Sequence, residues 1–212
     1  MTKRAKKLLG ISAGALTAFA LWTIAVCTID VQPIGPEGSR VGFAALNRSF
    51  HSFTGVHMGL YTLTDLLSLV PAAFALGFAG LGLAQWLGRK SLLQIDRSIL
   101  VLGSFYVLTL GAYLLFEILV INYRPVLIEG VLEASYPSST TMLALCVLPT
   151  GSLQLRTRLK NRTLRIAVCW AIRLFTVFMV IGRLLSGVHW LTDILGGCLL
   201  SAALVHLYIW FA

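Results

Sequence analysis

Six apolar runs of membrane-crossing length, at about residues 8–28, 67–87, 98–121, 138–155, 166–186 and 190–211, follow one another along the chain. A helix needs about 20 such residues to span the hydrocarbon of a bilayer, where no water is present to satisfy its backbone. The expected fold is therefore an all-α, polytopic membrane protein of six transmembrane helices, in a single domain covering residues 1–212. The fourth run contains Pro149 and Gly151, which membrane helices accept when neighbours satisfy the freed backbone groups. Composition points the same way: 58% of the residues are hydrophobic and 12% charged, against roughly half and a quarter in soluble domains.

The net charge of +9 does not indicate a nucleic-acid partner, because no recognition motif accompanies it and the basic residues sit in short loops. Placing residues 1–7 in the cytoplasm assigns twelve basic residues to inner segments: Lys3, Arg4, Lys6, Lys7, Arg89, Lys90, Arg97, Arg156, Arg158, Lys160, Arg162 and Arg165. Four remain outside, Arg40, Arg48, Arg124 and Arg183, with Arg173 inside a span. By the positive-inside rule this asymmetry fixes the expected orientation in the cell membrane. Residues 1–28 have the charge pattern of a signal peptide but no convincing cleavage pattern, so an uncleaved first span is expected.

A long external loop is expected at about residues 29–64, where Pro33, Gly35, Pro36 and Gly38 argue against a continuous helix, although Leu60–Leu67 could begin the next one. Within it, His51 and His57 read as ordinary loop residues, and His206 as a packed or interfacial one. The four cysteines, Cys27, Cys146, Cys169 and Cys198, lie apart in apolar segments and read as buried small hydrophobes, neither a disulfide framework nor a zinc site. Trp22, Trp86, Trp190 and Trp210 stand near span ends, as an interfacial aromatic belt would place them.

Ionisable groups beside apolar runs are costly and mark sites. Arg183, His189 and Asp193 form such a group next to the last span. On a helix His189 and Asp193, four residues apart, would share a face and let the carboxylate orient the imidazole. The alternative is a structural hydrogen-bonded pair at a helix start. Two further patches fall on the same outer side: Tyr123-Arg124-Pro125, and Tyr136-Pro137-Ser138-Ser139-Thr140-Thr141. The second resembles a helix start, where free N–H groups and the dipole attract an anion, although plain capping would need the same residues. Arg124 and Arg183 can each fork onto phosphate oxygens.

Together the three patches resemble the type-2 phosphatidic acid phosphatase superfamily, relatives of acid phosphatases and vanadium haloperoxidases, over about residues 60–210. That family reads Lys-x6-Arg-Pro, Pro-Ser-Gly-His and Ser-Arg-x5-His-x3-Asp. The third motif is present at Arg183, His189 and Asp193, with Gly182 in place of its Ser. Arg124 and Pro125 keep the end of the first, with Glu117 at the Lys position. Pro137 and Ser138 keep the start of the second, with Ser139 for Gly and Thr140 for His. The resemblance implies a nucleophilic His189 that forms a phosphohistidine, Asp193 holding its tautomer, and a phosphate cradle of Arg124, Ser138, Ser139, Thr140 and Arg183. It implies no metal and no cofactor.

The family histidine replaced by Thr140 protonates the leaving oxygen, a role typically worth about 10²–10⁴-fold. Two remedies are open: a diphosphate, such as a prenyl diphosphate, whose phosphate leaving group needs no proton, or a substitute acid among His51, His57, Glu129 and Glu133. Glu117 is expected to pair with Arg173, since both are intramembrane charges at compatible depths. The expected activity is hydrolysis of a lipid phosphate or diphosphate at the outer face. The alternatives are a catalytically impaired relative that binds phospholipid or lipid-carrier headgroups, and a small transporter. Clustering of the charges at one membrane face argues against the last.

Overall fold

The structure, a computed structural model describing residues 2–212, contains eight α-helices among them. These are α1 Lys3–Thr28, α2 Ala44–Thr54, α3 Met58–Leu67, α4 Leu69–Arg89, α5 Arg97–Ile118, α6 Ser139–Arg158, α7 Arg162–Leu185 and α8 Leu191–Phe211. The six expected spans correspond to α1, α3–α4, α5, α6, α7 and α8. Ser68 keeps right-handed helical dihedrals between α3 and α4, so Met58–Arg89 forms one 32-residue stretch long and apolar enough to cross a membrane. The expected long loop is thus shorter than its composition suggests. Its prolines and glycines are confined to residues 33–42, apart from Gly55 and Gly59 around the α2–α3 junction, and α2 forms beyond the first cluster.

Five stretches are both long and apolar enough to cross a membrane: α1, α3–α4, α5, α7 and α8. The sixth helix, α6, is more polar because it faces protein. It packs against α4, α5, α7 and α8, and buries Thr140, Thr141, Thr150, Ser152 and Gln154. Buried polar groups need partners, and two of these find them nearby. Gln154 Nε2 donates to Tyr208 Oη at 2.7 Å and to the Ser98 carbonyl at 3.1 Å. Next to Pro149, Thr150 Oγ1 donates to the Cys146 carbonyl at 2.6 Å. The outer helices do the reverse and present Leu76, Val107 and Leu174 outward, the side chains a lipid environment accepts at no cost.

Helix ends sort into two groups. At one, Arg158 of α6 donates to Ser98 Oγ of α5. At the other, Trp22 Nε1 of α1 reaches the Thr192 carbonyl of α8 at 3.1 Å, and Thr23 Oγ1 shares a 2.7 Å hydrogen bond with Tyr136 Oη just before α6. The three sequence patches gather at this second end.

Four expectations need correction. Glu117 and Arg173 form no ion pair: both are exposed, α6 packs against both their helices, and Arg173 lies 5.0 Å over the Trp170 ring instead. Trp190 is no belt residue but is buried, its Nε1 donating to the Tyr123 carbonyl at 2.8 Å. His51 is not an idle loop residue. It lies on α2, hydrogen-bonded to the Gly187 carbonyl at 3.0 Å and packed against Trp190. Cys27, finally, is exposed on α1 rather than buried.

Candidate active site

Between α5 and α6 the chain folds into a short antiparallel ribbon. Tyr123 bridges Ala134, and Ile128 bridges Val131. Glu129 and Gly130, both at positive φ, make the two-residue turn that such a ribbon favours. Register then sets Arg124 opposite Glu133: the Arg124 N–H donates to the Glu133 carbonyl at 3.0 Å, and Glu133 Oε2 lies 2.9 Å from Arg124 Nε. That side-chain contact is an ion pair without an aligned hydrogen bond, since Nε itself finds no acceptor in its N–H direction.

The turn between α7 and α8 carries His189. Gly187 adopts φ +70, and a Cβ there would lie 2.0 Å from the Gly55 carbonyl oxygen. Only glycine permits both the left-handed backbone and this approach of the α2–α3 junction. The His57 N–H donates to the Ser186 carbonyl at 2.9 Å and closes the same junction. In the first turn of α8, Asp193 Oδ2 accepts from the Trp190 N–H at 2.9 Å and Oδ1 accepts from Asn122 Nδ2 at 3.0 Å. His189 Nδ1 lies 3.8 Å from Asp193 Oδ2, an electrostatic contact rather than a hydrogen bond.

On the other side of the imidazole, Arg124 Nη1 lies 3.4 Å from Nε2. A guanidinium only donates, so Nε2 offers its lone pair there and the ring proton belongs on Nδ1, toward Asp193. His189 is 3% exposed. Burial first, and then the charges of Arg124 and Arg183, push its pKa well below the ordinary 6.5. The imidazole is neutral at physiological pH, as a nucleophile must be.

Arg183 is 1% exposed. Its guanidinium lies 4.7 Å over the Tyr61 ring, and that of Arg124 lies 5.9 Å from the same ring. Two like charges on one aromatic ring are held by rim carboxylates: Glu133 for Arg124, and Asp65, 3.7 Å from Arg183 Nη1. Thr64 Oγ1 accepts from the same Nη1 at 3.4 Å. The departure at Gly182 has a packing cause, because a Cβ there would lie 2.8 Å from Thr64 Cγ2.

Of the expected site residues, Arg124, Arg183, His189 and Asp193 converge. The second patch divides. Ser138 is fully buried, and its N–H is spent on the Asp193 carbonyl at 3.1 Å, tying α6 to α8. Its hydroxyl caps nothing and has no partner. Ser139 lines a small recess with His189, Tyr113, Phe116, Glu117, Ser135 and Tyr136. Thr140 lines instead an apolar groove of about 1010 Å³ between α4, α5 and α6. Sequence reasoning missed Tyr61, Asp65 and Asn122. None stands in a motif, and only the fold brings α3 against α7 and Asn122, beyond the end of α5, against Asp193 of α8.

A family model described as the PAP2 superfamily matches residues 11–212. Among solved structures, the transmembrane PAP2 type phosphatidylglycerolphosphate phosphatase from Bacillus subtilis is similar with a TM-score of 0.61 and 20% sequence identity, covering 94% of each chain. At that identity the likeness is one of fold. No curated protein matches the chain.

Proposed function

The chain belongs to the PAP2 superfamily, and from that premise we propose that it hydrolyses the phosphate or diphosphate of a lipid at the extracytoplasmic face of the cell membrane, through a phosphohistidine on His189. The observation that carries this reading is the neutral, buried imidazole whose Nε2 faces Arg124 at 3.4 Å, with Arg183 over the neighbouring Tyr61. Phosphoryl transfer asks a protein chiefly to position the reactants and to stabilise charge on the equatorial oxygens. Arg124 and Arg183 supply that charge, and Asp193 offsets the positive charge that the imidazole gains on attack.

Buried donors left over in the protein support an anionic ligand. Among the described residues, Arg183 Nε and Ser138 Oγ have no hydrogen-bond acceptor, each a cost of about 1–3 kcal/mol when desolvated. The apolar groove supports a lipid as the ligand's other half. Tyr113, Ser139 and Met142 line both the groove and the His189 recess, so a hydrocarbon chain between α4 and α5 would deliver its headgroup to the imidazole. The outward orientation rests on the twelve-to-four sorting of basic residues.

Phosphate release from lipid monophosphates and diphosphates in detergent micelles, measured for the wild type and His189→Ala, tests the reading. Release that the substitution abolishes upholds catalysis. Thr140 at the family's proton-donor position favours a second reading, a headgroup binder; retained lipid binding with no release by the wild type would establish it.

A further inference from the structure

The reading above leaves the leaving oxygen without a proton. Thr140 sits where the family places its acid, and its side chain faces the groove. A proton donor must stand where the phosphorus site and the hydrocarbon site meet, because the scissile oxygen joins the two. That junction is identified by the residues common to both cavities: Tyr113, Ser139 and Met142.

One carboxyl group lines the recess there. Glu117 lies four residues after Tyr113 on α5, one helical turn nearer the membrane surface and on the same face, and lines the recess together with His189 and Ser139. The other acids near the site are otherwise engaged. Glu133 is held by Arg124 at 2.9 Å and Asp65 by Arg183 at 3.7 Å, while Asp193 accepts from Asn122 and Trp190. The histidines proposed as substitutes are occupied too: His51 Nε2 bonds the Gly187 carbonyl and His57 Nε2 the Thr54 carbonyl. Glu117 has no ion-pair partner among the described residues.

We infer that Glu117 is the proton donor to the leaving oxygen, taking over the work of the missing histidine from the position where the family carries a lysine. This deepens the proposed function and rests on it. A carboxyl group at this position can pass a proton to the leaving oxygen and take one back from water, which is the work of a general acid and base. In the first step His189 Nε2 forms its bond to phosphorus as the ester P–O bond breaks, and the leaving alkoxide oxygen takes the Glu117 proton. In the second, water attacks the phosphorus of the phosphohistidine, the P–N bond breaks with its electron pair returning to His189 Nε2, and the Glu117 carboxylate accepts a proton from the water. Phosphate is released, and both groups return to their starting state. With Glu117 supplying the proton, the substrate need not be a diphosphate, and phosphate monoesters of lipid alcohols come within range.

Leaving-group dependence tests this. Wild type, Glu117→Gln, Glu117→Asp and His189→Ala are compared on a lipid alkyl phosphate, whose alkoxide needs a proton, and on 4-nitrophenyl phosphate, whose phenolate does not. Glu117→Gln should lose about 10²–10⁴-fold on the alkyl phosphate and only a few-fold on the aryl phosphate, with Glu117→Asp in between on the former. Equal loss on both substrates, or loss on neither, overturns the inference. Inhibition by inorganic phosphate, unchanged in Glu117→Gln, would exclude misfolding as the source of the loss. If His189→Ala stays active on either substrate, the phosphohistidine reading fails instead, and the two failures are told apart.

Discussion

Arg124 Nη1 lies 3.4 Å from His189 Nε2, so the group that would hold a phosphate oxygen also faces the lone pair that would attack phosphorus. Proximity to the guanidinium keeps a proton off the ring, and a ligand anion would partly neutralise that guanidinium. On the proposed reading, the same contact would prepare the nucleophile and mark where the electrophile belongs.

A pH prediction follows with a definite sign. Burial, Arg124 and Arg183 all lower the His189 pKa below 6.5, so the neutral, reactive form persists as the medium is acidified from pH 7 to the ordinary imidazole value. Arg124→Gln removes one of those charges and moves the His189 pKa upward. The acid limb of kcat/KM should shift to higher pH in the variant, alongside its weaker phosphate binding, as pH–rate profiles of the two proteins would record. Stability should follow the same sign. The unfolded chain takes up the proton first, so acidification from about 6.5 toward the folded-state value reduces stability.

Asn122 is the clearest residue to test outside the motifs. Its amide donates to Asp193 Oδ1 at 3.0 Å within a fully buried environment. Asn122→Ala leaves that oxygen unpaired, at a cost of about 1–3 kcal/mol. Thermal unfolding in detergent should show a lower midpoint. Phosphate release should fall mainly in kcat, because Asp193 in its proposed role positions the imidazole and does not hold the substrate.

Legibility of this chain followed the range of each physical cause. Span count and family were readable, because apolar runs and the Arg183-His189-Asp193 spacing are local patterns. The start of the second span was not. Proline and glycine near residue 35 argue for loop to about residue 64, with Leu60–Leu67 left open as the start of the next helix, while the helix in fact begins at Met58, just after His57 donates to the distant Ser186 carbonyl. The same limit hid Tyr61 and Asp65, which meet Arg183 only because α3 packs on α7. Depth does not set azimuth, and Glu117 and Arg173, paired from depth alone, face different surroundings.

The rim carboxylates should matter far less than the arginines they contact. Asp65 has a 58% exposed side chain and Arg183 a 1% exposed one. A pair with one partner in solvent is worth about 0–1 kcal/mol, so Asp65→Asn should change stability and kcat/KM only a few-fold. Arg183→Lys retains the charge and loses the planar fork. Phosphate release should drop on the order of 10²-fold, and the affinity for inorganic phosphate should weaken with it. Similar effects from the two substitutions would show that Arg183 serves the fold rather than the ligand.

Gly187→Ala probes how the fold positions the proposed nucleophile without removing any polar side chain. The new Cβ would stand 2.0 Å from the Gly55 carbonyl oxygen on a backbone at φ +70. The left-handed conformation alone costs a β-carbon-bearing residue about 1–2 kcal/mol, and the clash must be relieved by parting the α7–α8 turn from the α2–α3 junction. His51 and His57 then lose their hydrogen bonds to Gly187 and Ser186, and His189, two residues on, loses its placement against Arg124. Because an error of about 1 Å in a reacting group can cost on the order of 10²-fold in rate, kcat should collapse even in preparations whose helical content, read by circular dichroism, equals that of the wild type. Unchanged kcat would mean that the junction is not what sets the imidazole in place.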